Sequence, residues 1–311
     1  MIFRMKCLKK IPIGLWLLLL PLVAQSQTSS PYRVDENQMY GMYSGLALLM
    51  DVHYPTRPNG YGIVFIAGSG WHAPMGYNAP PLKGIAQTLQ YVKPLVEAGY
   101  IVFAINHRAA PRFRYPAAVE DAQRAVRFVR YHAKRFGIRP DPIGAAGGSS
   151  GGHLVSMLGV LDGNELRKDV DPVNRESAKV QCVVARAAPI DWVLFKEKGD
   201  PTGMVSFLGM MPNFVNVDST TVEYKTYNEA FPLYHVSKDD PPFLLIHGDA
   251  DKTVPFENSE KMEQALQKVG VPVKLVPIPG GGHGATFPGA KNPPDYLGEM
   301  CRWFDRYLVI K

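Results

Sequence analysis

Cysteine is nearly absent from this chain, with three thiols in 311 residues, at Cys7, Cys182 and Cys301. Cys7 falls in a leader, described below, which leaves two. One of these lies inside an apolar run of strand length and the other in a C-terminal helical stretch. Free, packed thiols are therefore expected rather than a bridge, although an oxidising compartment would permit one. Charge of one sign is also lacking. The formal net charge of +6 includes Arg4, Lys6, Lys9 and Lys10, in a stretch with no acidic residue. Without these four the balance is about +2, too little to argue for a nucleic-acid partner. No two of the eight histidines stand at metal-ligand spacing, so no metal is expected. No internal repeat or long low-complexity linker divides the chain. The longest apolar run, residues 11–24, has about 14 residues and is short for a bilayer span.

That run is informative in another way. It follows the basic residues 4–10 and ends in Ala24-Gln25-Ser26, a small-x-small cleavage pattern. Residues 1–26 read as a signal peptide and residues 27–311 as one catalytic domain, exported to the periplasm or the exterior. No stable membrane anchor is expected after cleavage. Oligomeric state is not legible.

Downstream, strand-like and helix-like segments alternate. Apolar runs of strand length occur at 46–52, 63–67, 100–105, 143–146, 180–188, 243–246 and 271–278. The stretch 100–105 is continuously apolar, as in a strand covered on both faces. Val119, Ala122, Ala125, Val126, Val129 and Ala133 recur at helical spacing, with Arg124, Arg127, Arg130 and Lys134 between them. Further helices are expected over 257–269 and 296–308. Such alternation implies an α/β fold, a mostly parallel sheet with helices on both faces. Residues 196–234 have weak periodicity and are long for a connection. They read as a short insertion over the active site, a lid, or as ordinary core packing beneath a long connection, with Met204, Phe207, Leu208, Met210, Met211 and Phe214 forming an apolar cluster.

The strongest local feature is Gly147-Gly148-Ser149-Ser150-Gly151-Gly152-His153, after an apolar strand and before a helix. A serine on a sharp strand-to-helix turn needs tiny neighbours two positions to either side. Two registers, centred on Ser149 and Ser150, satisfy G-x-S-x-G. The bare pattern is common by chance, and its placement is what gives it weight. Two partners follow in the order Ser, Asp, His. The strand at 243–246 ends in a turn carrying Asp249 and Asp251, and the strand at 271–278 ends in Gly280-Gly281-Gly282-His283. A histidine there can take a serine proton while a carboxylate fixes its tautomer. His53, His132 and His235 stand apart and read as surface or structural residues. His153 reads as support for the elbow, and His247 precedes the acid turn.

These motifs resemble those of the esterase/lipase group of α/β-hydrolases, which includes hormone-sensitive-lipase-like enzymes and bacterial acetyl-xylan and feruloyl esterases. The likeness covers nearly all of the chain after the leader. That group's G-x-S-A-G-G followed by His or Asn and Leu matches residues 147–154 and selects Ser149 as nucleophile. Its H-G-x-x-D-x-x-V-P matches residues 247–255 and selects Asp251; its histidine matches His283. Its oxyanion loop, H-G-G-G-W, stands here as Ala67-Gly68-Ser69-Gly70-Trp71, a departure at the first and third positions. The resemblance implies an oxyanion hole from the amides of Ser69, Gly70 and Ser150, with Trp71 and His72 at the pocket rim. Phe207 and Phe214 are further pocket candidates, from the lid reading. The group's N-Y-R-L-A-P appears altered, as Asn106-His107-Arg108-Ala109-Ala110-Pro111.

The activity so implied is two-step acyl transfer without a cofactor. Only a short segment precedes the first strand, so the long N-terminal cap of the lipase-like relatives is not expected. An open cleft on an exported protein suits an ester on a bulky polymer, acetyl or feruloyl groups on plant polysaccharide. A general carboxylesterase or lipase, and a peptidase or arylformamidase, remain open on the same triad. A non-catalytic binding protein on this scaffold is the alternative of a different class, and the intact Ser149, Asp251 and His283 count against it.

Overall fold

In the computed structural model, residues 32–309 are described, apart from 75, 164–167, 197 and 212–217. The leader and Phe214 lie outside the described residues. Eight strands form one sheet: β1 (Arg33–Tyr43), β2 (Leu46–Tyr54), β3 (Gly62–Ile66), β4 (Ile101–Ile105), β5 (Ile143–Gly148), β6 (Cys182–Arg186), β7 (Phe243–Gly248) and β8 (Val273–Ile278). Their order across the sheet is β1-β2-β4-β3-β5-β6-β7-β8. β1 and β2 form an antiparallel hairpin, β2 is antiparallel to β4, and every later pairing is parallel. The helices are α1 (Ala86–Glu97), α2 (Ala117–Tyr131), α3 (Ala133–Phe136), α4 (Ser150–Val160), α5 (Thr202–Leu208), α6 (Val222–Ala230), α7 (Glu257–Lys268) and α8 (Tyr296–Tyr307).

The central strands are apolar along their whole length because both faces are covered. Along β3, Ile63 and Phe65 point to a layer with Tyr91, Val92 and Leu95 of α1 and Met300, Trp303 and Phe304 of α8. Val64 and Ile66 point the other way, towards Val119, Ala122 and Val126 of α2 and Leu154 and Val155 of α4. Period-two alternation thus sorts each strand between two cores. Both cysteines are free: Cys182 is buried, and the Cys301 thiol faces the Pro94 carbonyl at 3.6 Å. Among the described residues no helix is long and apolar enough to cross a membrane.

Two differences from the sequence reading have physical causes. β1 carries no apolar alternation, since only Tyr40 of its eleven residues is buried and its pairing is broken between Asp35/Gln38 and Met39/Gly41. It is an edge strand held by β2 rather than by a core of its own. The 196–234 segment holds two short helices, α5 and α6, and Met204, Phe207 and Leu208 of α5 are buried in the larger core. Its apolar cluster is packing material over that part.

Phe304 is fully buried where α8 meets β5 and Tyr100. Phe304→Ala is expected to cost about 3–5 kcal/mol through the cavity left behind, measurable by urea denaturation.

Candidate active site

The parallel strands β3, β5, β7 and β8 all point their C-terminal ends to one edge of the sheet, and the loops leaving those ends meet there. Ser149 sits between β5 and α4 with φ 53° and ψ −125°, outside the regions an L-residue prefers. Its N–H donates to the Arg186 carbonyl at 2.7 Å, and its own carbonyl accepts from His153 N–H at 2.9 Å, starting the helix. The turn lets α4 press against β3. A Cβ on Gly151 would lie 2.1 Å from the Ile66 carbonyl oxygen, so no other residue fits.

His283 bridges the other two members. Its Nε2 accepts from the Ser149 hydroxyl at 3.0 Å and its Nδ1–H donates to Asp251 Oδ2 at 2.7 Å. The Asp251 carboxylate is shut away from solvent, and Oδ1 accepts the Thr253 and Val254 amides, both at 2.9 Å. His247 adds a contact at 3.4 Å to Oδ2. The His247 Nδ1 accepts from Ser259 Oγ at 2.7 Å, which puts its proton on Nε2, facing Val254 O and Asp251. Burial pushes the Asp251 carboxyl up, but the hydrogen bonds from His247 and His283 outweigh it and hold the acid well below the usual carboxylate range. Asp249, two residues earlier, is exposed and instead accepts the Gly280 amide at 2.7 Å, bracing the histidine loop.

The loop after β3 closes the fourth side. A Cβ on Gly68 would lie 2.8 Å from the Ser149 Cβ and 2.5 Å from the Gly148 oxygen, so glycine alone lets the loop come this near. Here the expected donor set changes. The Ser69 amide, one of three assigned to the oxyanion hole, donates to the Ser150 hydroxyl at 2.9 Å, and the Gly68 amide donates to Gln87 Oε1 at 3.0 Å. Two side chains thus fasten the loop. The amides of Gly70 and Ser150 are left as donors, with no acceptor among the described residues.

The pocket candidates separate. Trp71 is 3% exposed, and its Nε1–H donates to His153 Nδ1 at 3.1 Å. Its ring stacks on Phe207 at 4.7 Å and 12°. Phe207 is 1% exposed and also meets His153 and Tyr115 edge to face. Both were expected to line the pocket; both are instead ring packing that supports the oxyanion loop, because a flat neighbour was available on α5. His72 remains half-buried beside that loop, its N–H donating to the Ser69 carbonyl at 3.2 Å.

Several supporting residues carry no motif and escaped the sequence reading. The buried Arg186 guanidinium donates through Nη1 to the Gly284 carbonyl at 2.7 Å and lies between the rings of Tyr91 (5.5 Å) and Phe287 (5.6 Å). Tyr91 OH donates to the Ala285 carbonyl at 2.8 Å. Together they hold the histidine loop after His283, as Asp249 holds it before. Among the described residues no three His, Cys, Asp or Glu side chains are grouped to hold a metal ion.

Two buried histidines give a pH test. Burial is the main cause that pushes His153 down to about 4, and His53 likewise, so both are neutral in the fold. The unfolded chain protonates such rings near pH 6.5, so below that it binds more protons than the native state. Stability is therefore expected to fall between pH 6.5 and 5, by up to about 1.4 kcal/mol per pH unit for each ring. Melting curves of the parent and of His153→Gln should show the shallower slope in the variant; equal slopes would remove His153 from this account.

The BD-FAE family model matches residues 50–266, more than half of the chain. The chain is 27% identical to Esterase LipC of Mycobacterium tuberculosis over 80% of its own length and 60% of that protein's. It is 25% identical to an acetylxylan esterase of Xylanibacter ruminicola over 87% of its length and 49% of the relative's. It thus spans less than two thirds of the length of these curated relatives. Among solved structures, a truncated form of a carbohydrate esterase from gut microbiota superimposes with a TM-score of 0.74 at 27% identity, covering 89% of this chain and 97% of that one. The sheet order, the elbow and the family match converge: the chain belongs to the BD-FAE family, on an α/β-hydrolase fold.

Proposed function

We propose that this protein is a carboxylic ester hydrolase with Ser149 as nucleophile, His283 as general base and acid, and Asp251 as the group that orients and charges against His283. The observation that carries this reading is the relay itself: Ser149 Oγ to His283 Nε2 at 3.0 Å, and His283 Nδ1 to a buried Asp251 at 2.7 Å. His283 takes the hydroxyl proton as Oγ adds to the ester carbonyl. The resulting oxyanion receives the Gly70 and Ser150 amides, which cost no reorganisation because the loop is already fastened. Collapse expels the alcohol, protonated by His283, and leaves an acyl-serine. Water, deprotonated by the same imidazole, then releases the acid.

The substrate side of the proposal is acetyl or feruloyl esters on plant polysaccharide. An acetylxylan esterase among the relatives and a carbohydrate esterase among the similar structures support it. The leader reading goes with it, since a polymer of that kind is met outside the cell.

An organophosphonate label, located by peptide mass spectrometry, should sit on Ser149; an adduct on Ser150 would overturn the register. Ser149→Ala should abolish turnover of acetylated xylan, methyl ferulate and a nitrophenyl acetate alike. Ser150→Ala keeps the oxyanion amide and loses only the anchor on Ser69, so it should retain substantial activity, down by about fivefold for a lost neutral hydrogen bond.

The two aspartates should part sharply. Asp251→Asn is expected to lower kcat by on the order of 10⁴, because the amide favours the wrong imidazole tautomer. Asp249→Asn loses only a brace on Gly280 and should stay within about tenfold of the parent. The reverse ranking, from steady-state kinetics, would show that the acid is misassigned.

A further inference from the structure

The loop after β4 leaves the sheet at the same edge as the triad and reads Pro111-Arg112-Phe113-Arg114-Tyr115-Pro116. It borders the oxyanion loop. Ala110 N–H donates to the Trp71 carbonyl at 2.8 Å, and Tyr115 N–H to the Phe207 carbonyl at 2.8 Å. The β1–β2 hairpin overhangs the same edge. β2 is antiparallel to β4 with Met50 opposite Ile105, so residues before Met50 run past the end of β4. Tyr43 of that hairpin meets Phe113 edge to face at 6.0 Å and 87°, with the Arg108 guanidinium 4.0 Å from its ring centre. Between these walls lies a groove of about 520 Å³ lined by Tyr43, Arg112, Phe113, Arg114 and Tyr115.

The charges in this groove do not balance. Arg108 is matched by Glu120 and Asp121, both at 2.8 Å, and Glu120 is the only carboxylate in the lining. Arg112 and Arg114 are exposed and have no acidic partner among the described residues. Arginines elsewhere in the protein find acidic partners, as Arg124 does with Asp171 and Arg302 with Asp295 and Glu299. The Arg114 side chain passes closely over Gly209, where a Cβ would lie 2.3 Å from its Cδ and 2.6 Å from its Cζ.

We propose that this groove binds a carboxylate-bearing sugar unit of the polysaccharide whose ester is cleaved. Arg112 and Arg114 take the carboxylate, and the rings of Tyr43, Phe113 and Tyr115 take the apolar faces of the sugar rings. A guanidinium fork and a carboxylate match in shape as well as charge. A neutral sugar leaves both cations unused, and a small free anion leaves the three rings unused. A polynucleotide or membrane surface calls for a broader cationic face than two arginines beside Glu120. Ala110, just before the groove's Pro111, bonds to Trp71 and bridges to His72 of the oxyanion loop, so a polymer lying in the groove would run towards Ser149. The inference rests on the polysaccharide-ester reading and names the substrate's second feature.

Binding is best read without turnover, by calorimetry on the Ser149→Ala protein. The probes are a xylo-oligosaccharide bearing a uronic acid, the same oligosaccharide without it, and polyphosphate. The acidic sugar should bind about tenfold more tightly than the neutral one, with the preference weakening as salt is raised. Adding Arg112→Gln and Arg114→Gln should erase the preference, and lysine at both positions should restore part of it. Equal binding of the acidic and neutral sugars, or binding of polyphosphate as tight as that of the acidic sugar, overturns the proposal. That comparison needs no groove variant, so it decides even if the double variant fails to fold. If the unmodified protein cleaves no ester while the calorimetric preference holds, the ester-hydrolase reading fails and the groove stands.

Discussion

At Ser149 the backbone turns from strand to helix through a conformation that costs a non-glycine residue on the order of 1–3 kcal/mol. Such a turn persists only where its surroundings over-determine it. Here β5 is paired on both sides, to β3 and β6, and the Ser149 amide is held by the Arg186 carbonyl at the end of β6. α4 is locked from the other direction by its contact with Ile66. The strain lifts the hydroxyl clear of the sheet, where a loop from a neighbouring strand can reach it. Remove the tight approach at Gly151 and the helix start, the oxyanion amide of Ser150 and the serine rotamer are lost together.

The remaining parts of the site are held by groups outside the Ser149–His283–Asp251 relay. Asp249 and Arg186 grip the histidine loop at Gly280 and Gly284, one on each side of His283. Gln87 and Ser150 grip the oxyanion loop at Gly68 and Ser69. His153 sits at the centre of a ring cluster, accepting from Trp71 and donating through Nε2–H to the Ala230 carbonyl at 2.7 Å. It therefore couples α4 to the oxyanion loop and to α6. Rigidity of this kind is what gives backbone amides their value as charge stabilisers, since they need not reorient as charge develops.

Much of this was legible in the sequence, for reasons that can be named. The central strands announce themselves because a strand buried on both faces has nowhere to put a polar residue. The elbow announces itself because the turn admits only glycine two positions either side of the serine. β1 was hidden because an edge strand with one buried ring needs no apolar pattern. Trp71 and Phe207 were misjudged because an apolar side chain in an irregular segment can line a cleft or close a core, and only a tertiary partner decides which. Ser69 was misjudged for a related reason: its amide was available until a hydroxyl 81 residues away reached it. Arg186 gave no signal at all, being one arginine at the end of an apolar run.

The separation of 134 residues between Ser149 and His283 bears on how the chain matures. β8, which carries the histidine loop, is the last strand and lies at the far edge of the sheet, two strands beyond β6. Parallel pairings of this kind close large loops and form late in folding. During synthesis the elbow strand can find β3 and its own helix while the histidine is still unmade. Throughout that interval the serine has no base beside it and is an ordinary alcohol. On the proposed reading, nucleophilic power would therefore arrive only with the docking of the final strand.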